Sequence, residues 1–185
     1  PVITLTWSGT ITQEVGGTYT DAGATATDAE DDDTTLTGNI TSSGSVNAGV
    51  VGTYTIDYDV TDSSWNAATT VTRTVNIVDT TAPVITELWT DPVTVVVNGS
   101  YSDAWATCSD NYDASCSVTS SWSVDTSTIW VYTITYTATD AAGNAATPET
   151  RTVNVVAGNA PVITLTWSGT ITQEVGGTYT DAGAT

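Results

Sequence analysis

The sequence contains no phenylalanine, methionine, histidine or lysine, and its only basic residues are Arg73 and Arg151. Without histidine or lysine, the usual catalytic triads, Schiff bases and histidine-ligated metal centres are excluded. With 21 acidic residues the net charge is −19, which excludes ordinary binding to nucleic-acid phosphates and attraction to anionic membrane surfaces. No apolar run approaches the roughly 20 residues of a transmembrane helix. We therefore expect no enzymatic activity, no nucleic-acid partner and no membrane insertion in this segment.

The residues that are abundant favour strands over helices. The chain has 42 threonines together with many valines, isoleucines and tyrosines, which are residues that pack well on a pleated sheet. Within residues 50–60 the pattern alternates, so that Tyr54, Ile56, Tyr58 and Val60 lie on one face and polar residues on the other. The sequence predicts an all-β fold made of tandem antiparallel β-sandwiches, with a barrel or a β-solenoid as the alternative.

The chain is internally repetitive. Residues 161–185 are identical to residues 1–25, and a weaker copy begins at Pro83. This copy aligns at an offset of 82 and then, after an acidic stretch, at an offset of 78. We predict a first repeat over 1–82, a second over 83–160 and the start of a third over 161–185, as expected for an internal segment of a longer array.

Three segments carry a family resemblance: "DTTAPVI" at 79–85, "GGTYTDAGATATD" at 16–28 and "TATDAAGNAAT" at 137–147. They resemble the bacterial immunoglobulin-like repeats of large surface and secreted proteins, a hyalin-repeat-like type that also occurs in appendages of insecticidal crystal toxins. The resemblance implies immunoglobulin-like sandwiches that act in tandem as spacer or adhesive modules. It does not imply catalysis, because a repeat type does not carry function by itself.

The two cysteines, Cys108 and Cys116, flank a short loop in the second repeat. A disulfide between them is the favoured interpretation, and it would place the protein outside the cytoplasm. Zinc is the alternative, but a structural zinc site needs about four ligands and the chain has no histidine.

Calcium is the expected cofactor, because it prefers oxygen ligands from carboxylates. The first repeat carries a dense group of acids, and its sister loop keeps Asp110 and Asp113. The alternative is a solvated acidic loop with aspartates that only cap turns. The resemblance further implies calcium where such a loop meets the linker to the next domain. The candidate ligands are Asp28, Glu30, Asp31, Asp32, Asp33, Asp62, Asp79 and Asp140.

Four of the seven tryptophans align with glycine in the sister repeat. An exposed aromatic strip that binds glycans is one hypothesis. The other is that the codon UGA, which some bacterial lineages read as glycine and others as tryptophan, has been mistranslated. The four pairs are Trp65 with Gly143, Trp105 with Gly23, Trp122 with Gly44, and Trp130 with Gly52.

Together these features predict a structural repeat segment of an extracellular fibre, filament or large adhesin stalk on a prokaryotic cell surface. Its expected partners are further copies of itself, and a glycan or another cell-surface target. The alternative function is a glycan-binding accessory module of a secreted hydrolase or toxin. The third repeat would be completed by the covalent chain or by strand exchange between subunits. Sequons at Asn39 and Asn98 permit N-glycosylation.

Overall fold

The structure is a computed structural model that describes residues 1–121, 123–166 and 170–183. It contains twelve strands and one short helix. In the first repeat these are β1 (Val2–Leu5), β2 (Thr10–Glu14), β3 (Ala24–Thr27), α1 (Asp33–Gly38), β4 (Thr41–Ser43), β5 (Gly52–Asp59) and β6 (Val71–Val78). In the second they are β7 (Val84–Glu87), β8 (Val93–Val96), β9 (Ala106–Ser109), β10 (Ser117–Ser120), β11 (Val131–Thr139) and β12 (Glu149–Val156).

The first six strands form a sandwich of two sheets. Strands β1 and β3 pair antiparallel, and the second sheet has the order β2-β6-β5-β4. Strand β2 runs parallel to β6, whereas the other pairs in that sheet are antiparallel. The predicted all-β sandwich is confirmed, and the parallel pair is a feature that the alternation of residues did not reveal.

The next six strands repeat this arrangement. Strands β7 and β9 pair antiparallel, and the larger sheet has the order β8-β12-β11-β10. Strand β8 is again parallel to β12. The two sandwiches therefore share one topology, in keeping with their alignable sequences.

The core of the first sandwich lies between its two sheets. Ile56, Tyr58 and Val60 are 7%, 2% and 4% exposed and pack against Ile3 and Ala26 of the smaller sheet. The predicted inward face of β5 is therefore correct. Burial of such side chains is the main source of stability for a sandwich of this size.

A short helix, α1, directly follows the acidic loop of the first repeat. Asp32 caps α1 by accepting a hydrogen bond from the Thr35 N–H at 2.8 Å, as aspartate does at helix N-termini. Leu36 of this helix is 3% exposed and enters the core. The helix thus anchors an acidic loop for which the sequence predicted calcium binding or, as the alternative, free solvation.

The third copy has a different environment from the first. Ile3 and Val15 are 7% and 5% exposed, but their identical counterparts Ile163 and Val175 are 79% and 107% exposed. In the first repeat these residues are covered by β5 and β6. Within 161–166 and 170–183 the segment shows isolated local contacts, such as a hydrogen bond from the Thr166 hydroxyl to the Ala182 carbonyl at 2.8 Å.

Candidate functional site

Three of the predicted calcium ligands of the first repeat lie together. Asp28, Asp31 and Asp62 place carboxylate oxygens within 4.8 Å of one another. Asp28 pairs with the amino group of Pro1 at 2.9 Å. Asp31 accepts a hydrogen bond from the Ser63 N–H at 3.1 Å, which ties the acidic loop to the turn that follows β5. Calcium binding by these residues stays a prediction.

The remaining acids of that stretch serve the local backbone or face solvent. Asp32 caps α1, and Asp33 accepts a hydrogen bond from the Asp28 N–H at 3.1 Å. Glu30 is exposed and lies outside the group formed by Asp28, Asp31 and Asp62. The structure therefore places Asp28 and Asp31 in the carboxylate cluster, uses Asp32 and Asp33 to accept backbone hydrogen bonds, and leaves Glu30 exposed at the surface.

A second cluster lies where the linker meets the second sandwich. Asp79, Asp110 and Asp140 also bring carboxylate oxygens within 4.8 Å of one another. Asp79 and Asp140 were predicted, whereas Asp110 was mentioned only as a residue of the sister loop. Burial raises the pKa of Asp79, and the neighbouring charges of Asp110 and Asp140 raise it further.

Glu14, which belongs to the first sandwich, forms hydrogen bonds with the same linker. Its carboxylate accepts hydrogen bonds from the N–H and hydroxyl groups of Thr80 and Thr81. These hydrogen bonds lower the pKa of Glu14 to about 2. Asn144 holds the linker from the other side, since its side-chain amide donates to the Asp79 carbonyl at 3.1 Å. Glu14 is not among the residues predicted from the sequence.

The predicted disulfide is present. Cys108 at the end of β9 and Cys116 just before β10 are bonded, with their Cα atoms 6.0 Å apart. The bridge closes the loop that corresponds to the helical stretch of the first repeat. One sandwich thus anchors this connection with a helix, and the other with a covalent bond.

The two arginines lie in the sandwich interiors, in a role that was not predicted from the sequence. Arg73 of β6 is 0% exposed and pairs with the Asp21 carboxylate. It also donates to the Tyr58 hydroxyl at 2.9 Å, the Gly23 carbonyl at 3.0 Å and the Ser8 carbonyl at 3.2 Å. Its guanidinium carbon lies 5.6 Å from the Tyr58 ring centroid, within the range of a cation–π contact.

The second sandwich repeats this centre with Arg151, Asp103 and Tyr136. Arg151 is 1% exposed, pairs with Asp103 and donates to the carbonyls of Leu88 and Trp105. The Tyr136 hydroxyl donates to the Asp103 carboxylate at 2.8 Å. The signal that could have revealed both centres is the alignment of the two arginines on the inward faces of β6 and β12, each two residues before a buried valine, Val75 or Val153.

The electrostatics of both centres stabilise the charged carboxylate. Burial by itself raises the pKa of Asp21, but hydrogen bonds from Tyr58 and Arg73 outweigh it and hold the pKa below its usual value. The same balance lowers the pKa of Asp103. A lowered carboxyl pKa means that this stabilisation is present above the ordinary pKa of 3.8 and is lost as the pH falls below it.

Three of the described tryptophans have a backbone conformation with a positive φ angle. Trp65 and Trp105 have φ angles of 67° and 70°. Their glycine counterparts also have positive φ angles, of 95° at Gly143 and 74° at Gly23. Trp89 also has a positive φ, of 77°. Trp130 is exposed, and Trp122 lies outside the described residues. The predicted glycan strip stays a prediction. The sequon residues Asn39 and Asn98 are both exposed.

Two tandem sandwiches, each with a small and a large sheet, define the class as immunoglobulin-like domains. The chain matches the family described as "Bacterial surface protein, Ig-like domain" over residues 3–77 and 88–155. These ranges cover most of its length, so the chain belongs to this family. The predicted family is confirmed, and it places the chain among bacterial cell-surface proteins.

The chain is also similar to solved structures. A lipoprotein of Bacteroides thetaiotaomicron with a crystal structure is 28% identical, with a TM-score of 0.38. The match covers 43% of this chain and 38% of the lipoprotein, so the chain spans well under half of that protein. No curated protein matches. Among the described residues, none of the helices has the length and apolar character needed to cross a membrane.

Proposed function

We propose that this segment is a structural repeat of an extracellular fibre, filament or adhesin stalk on the bacterial surface, with further copies of itself as its partners. The observation that carries the proposal is that identical residues are buried in the first copy and exposed in the third. Ile163 and Val175 are exposed, whereas Ile3 and Val15 are buried. An apolar face of this kind calls for partner strands, because folded proteins rarely leave such surfaces open.

The strands that would cover this apolar face of the third copy are the counterparts of β5 and β6. In the first repeat Ile3 packs in a cluster with Ile56 and Tyr58 of β5, and Val15 packs with Val75 and Ile77 of β6. A further copy of residues 26–82 beyond the third start would supply both strands. A covalent array is favoured over strand exchange, because the 160-residue spacing between the identical segments requires only duplication of the repeat pair.

The contacts of the linker between the two sandwiches also support a role as a spacer. Glu14 of the first sandwich holds Thr80 and Thr81, while Asn144 of the second holds the Asp79 carbonyl. Contacts from both sides limit bending of the connection between the units. Repetition of such junctions would make an extended stalk.

The test is electron microscopy of a protein that carries several copies of residues 1–160 in series. An eleven-residue strand spans about 35 Å, so a pair of units should repeat every 70–90 Å, roughly, along an extended filament. The matched control is the 185-residue chain at increasing concentration, where head-to-tail multimers would indicate strand exchange instead. A compact monomer of 185 residues, with 161–183 ordered against its own chain, would contradict the proposal.

A further inference from the structure

We propose that an apolar patch at the exit end of the second sandwich, where the chain leaves β12, is the docking surface for the next unit, a copy of the first sandwich. The five residues of this exit patch are Val96, Ile129, Trp130, Val131 and Val156. The proposal rests on the proposed function, since it needs a unit that follows residue 160. It goes further by naming the surface to which that unit binds.

The pairing of strands brings the residues of the exit patch together. Val96 ends β8 and Val156 ends β12, and the two residues are partners in the parallel register. Val131 begins β11, which pairs antiparallel with β12, so the start of β11 lies beside the end of β12. The Trp130 carbonyl accepts a hydrogen bond from the Val155 N–H at 2.9 Å, which places Trp130 at the same end.

The exit patch is exposed although it is apolar. Its side chains range from 37% exposed at Val156 to 67% exposed at Trp130. Apolar patches of this kind mark interaction sites in soluble proteins. The linker to the third copy passes close to the patch, since a Cβ atom added at Gly158 would lie 3.3 Å from Cγ1 of Val96. The unit that follows the linker therefore starts beside the patch.

The same end of the first sandwich is an interface in the structure. The Val51 N–H donates to the Tyr112 hydroxyl at 3.4 Å, and the Asn111 side-chain amide donates to the Glu14 carboxylate at 3.5 Å. Tyr112 and Asn111 belong to the second sandwich. Val96 is the counterpart of Glu14 at the offset of 82. The exit patch therefore occupies the position at which the first sandwich contacts its successor.

The polar contacts of the first junction are not repeated at the second. Glu14 holds Thr80 through hydrogen bonds to its N–H and hydroxyl groups. In the second repeat, valine at residue 96 replaces the glutamate and Gly158 replaces the threonine. Burial of apolar area would hold the second junction instead.

Two glycine-to-tryptophan replacements fall on the two sides of this second junction. Trp130 of the exit patch replaces Gly52. Trp65 replaces Gly143 in a turn whose second-repeat counterpart contacts the linker, because the Asn144 amide donates to the Asp79 carbonyl at 3.1 Å. In the first sandwich Trp65 is 87% exposed. A following copy of this sandwich would therefore present an exposed indole ring to the exit patch.

The linker favours the next unit over a second chain as the partner. Only residues 157–160 separate the end of β12 from the third copy. Such a short connection makes the contact intramolecular and gives the next unit a high effective concentration. Two separate chains would instead have to approach each other with a net charge of −19 on each.

The experiment compares the 185-residue chain with a three-unit chain that adds a copy of residues 26–82 after Thr185. Trp130→Ser is introduced into both chains, and unfolding temperatures are measured by calorimetry. Trp89→Ser is the matched control, because Trp89 belongs to the same sandwich, is 85% exposed and lies outside the exit patch. Further variants of the three-unit chain carry Trp65→Gly in the added copy, alone and together with Trp130→Ser.

In the three-unit chain, Trp130→Ser should lower the unfolding temperature by at least about 4 °C, a shift typical of a lost apolar contact in a unit of this size. In the 185-residue chain the shift should be below about 1 °C, since residue 130 is exposed there. Trp89→Ser should have the same effect in both chains. The two tryptophan changes together should lower the unfolding temperature by less than the sum of their separate effects, because both remove one contact.

Ile163→Ala in the three-unit chain separates this proposal from the array itself. If Ile163→Ala is destabilising while Trp130→Ser acts equally in both chains, the third unit folds without using the exit patch, and the proposal is overturned. Additive tryptophan effects would also overturn it, as would a dimer of the 185-residue chain that Trp130→Ser abolishes, since a second chain would then cover the patch. If Ile163→Ala has no effect, no third sandwich forms, and this proposal fails together with the proposed function.

Discussion

The two arginines of this acidic protein organise the polar interactions inside its sandwiches. Each is buried beside an aspartate and a tyrosine, although the surface carries almost all of the negative charge. A guanidinium group can satisfy a carboxylate and several carbonyls at once because its donors form a rigid fork. Arg73 therefore holds the Asp21 carboxylate and the Gly23 carbonyl in one place. The left-handed backbone at residue 23 is part of this arrangement.

Asp21→Asn should strongly destabilise the first sandwich. The change leaves the buried Arg73 guanidinium without its carboxylate, and breaking a buried pair in this way costs about 3–5 kcal/mol. Urea denaturation of the full chain measures the effect. Asp57→Asn is the control, since Asp57 accepts a hydrogen bond from the exposed Thr72 hydroxyl, and it should change stability by less than about 0.5 kcal/mol. Equal effects of the two variants would contradict this role of Arg73.

Trp65→Gly should stabilise the chain that carries tryptophan at this position. The φ angle of 67° and the 87% exposure mean that the change removes conformational strain and little packing, for a gain of about 1 kcal/mol. The reciprocal change, Gly143→Ala, should destabilise by a similar amount, although no atom lies within 4 Å of the added Cβ. Denaturant unfolding measures both, and a loss of stability in Trp65→Gly would refute the prediction.

At the level of elements, alternation predicted the strands that carry the core. Residues 50–60 gave the inward face of β5 because each second side chain is apolar and the strand is long enough to show the period. The parallel pairing of β2 with β6 was not predictable in this way, since the pattern of one strand does not state its partner's direction. The helix α1 was missed because it has only 6 residues, directly follows the acidic stretch and buries Leu36 alone.

The site was predicted less completely than the fold. The family resemblance suggested Asp79, and the turn at residues 140–144 suggested Asp140, but Asp110 joins them only through the packing of loops from different strands. Glu14 was missed for the same reason, since its partners lie 66 and 67 residues away. Long-range contacts of this kind depend on the register of the sheets, which cannot be predicted from the amino-acid composition.

The disulfide between β9 and β10 should stabilise the second sandwich. Replacing both Cys108 and Cys116 by serine should lower its stability by about 2.5 kcal/mol, because a short loop regains its freedom in the unfolded state. Thermal unfolding of the double variant measures this. The first sandwich, whose equivalent connection contains Leu36, is the internal control, and its unfolding should be unchanged. If the unfolding temperatures of both sandwiches fell equally, the bridge would stabilise the whole chain and not the second sandwich alone.

At the level of the whole molecule, the junction should respond to acid through Glu14. Its pKa is lowered from 4.5 to about 2 by the hydrogen bonds from Thr80 and Thr81. A lowered carboxyl pKa contributes stability that is fully present above pH 4.5 and is lost as the pH falls toward about 2. Glu14→Gln should therefore weaken this part of the acid dependence when unfolding temperature is followed against pH. An unchanged pH profile in Glu14→Gln would exclude Glu14 as the acid-sensitive contact.

The identical first and third copies offer a test of the array within one molecule. Ile3 and Ile163 share the same neighbours in sequence, but one is 7% exposed and the other 79%. Ile3→Ala should therefore cost about 2–5 kcal/mol, as for other buried isoleucines, whereas Ile163→Ala should stay within about 0.5 kcal/mol. Urea denaturation of the 185-residue chain measures both. In a longer chain that adds a copy of residues 26–82 after Thr185, the cost of Ile163→Ala should rise to match that of Ile3→Ala, because new strands then cover residue 163. If the added copy leaves the Ile163→Ala effect unchanged, the third copy is not the start of another sandwich.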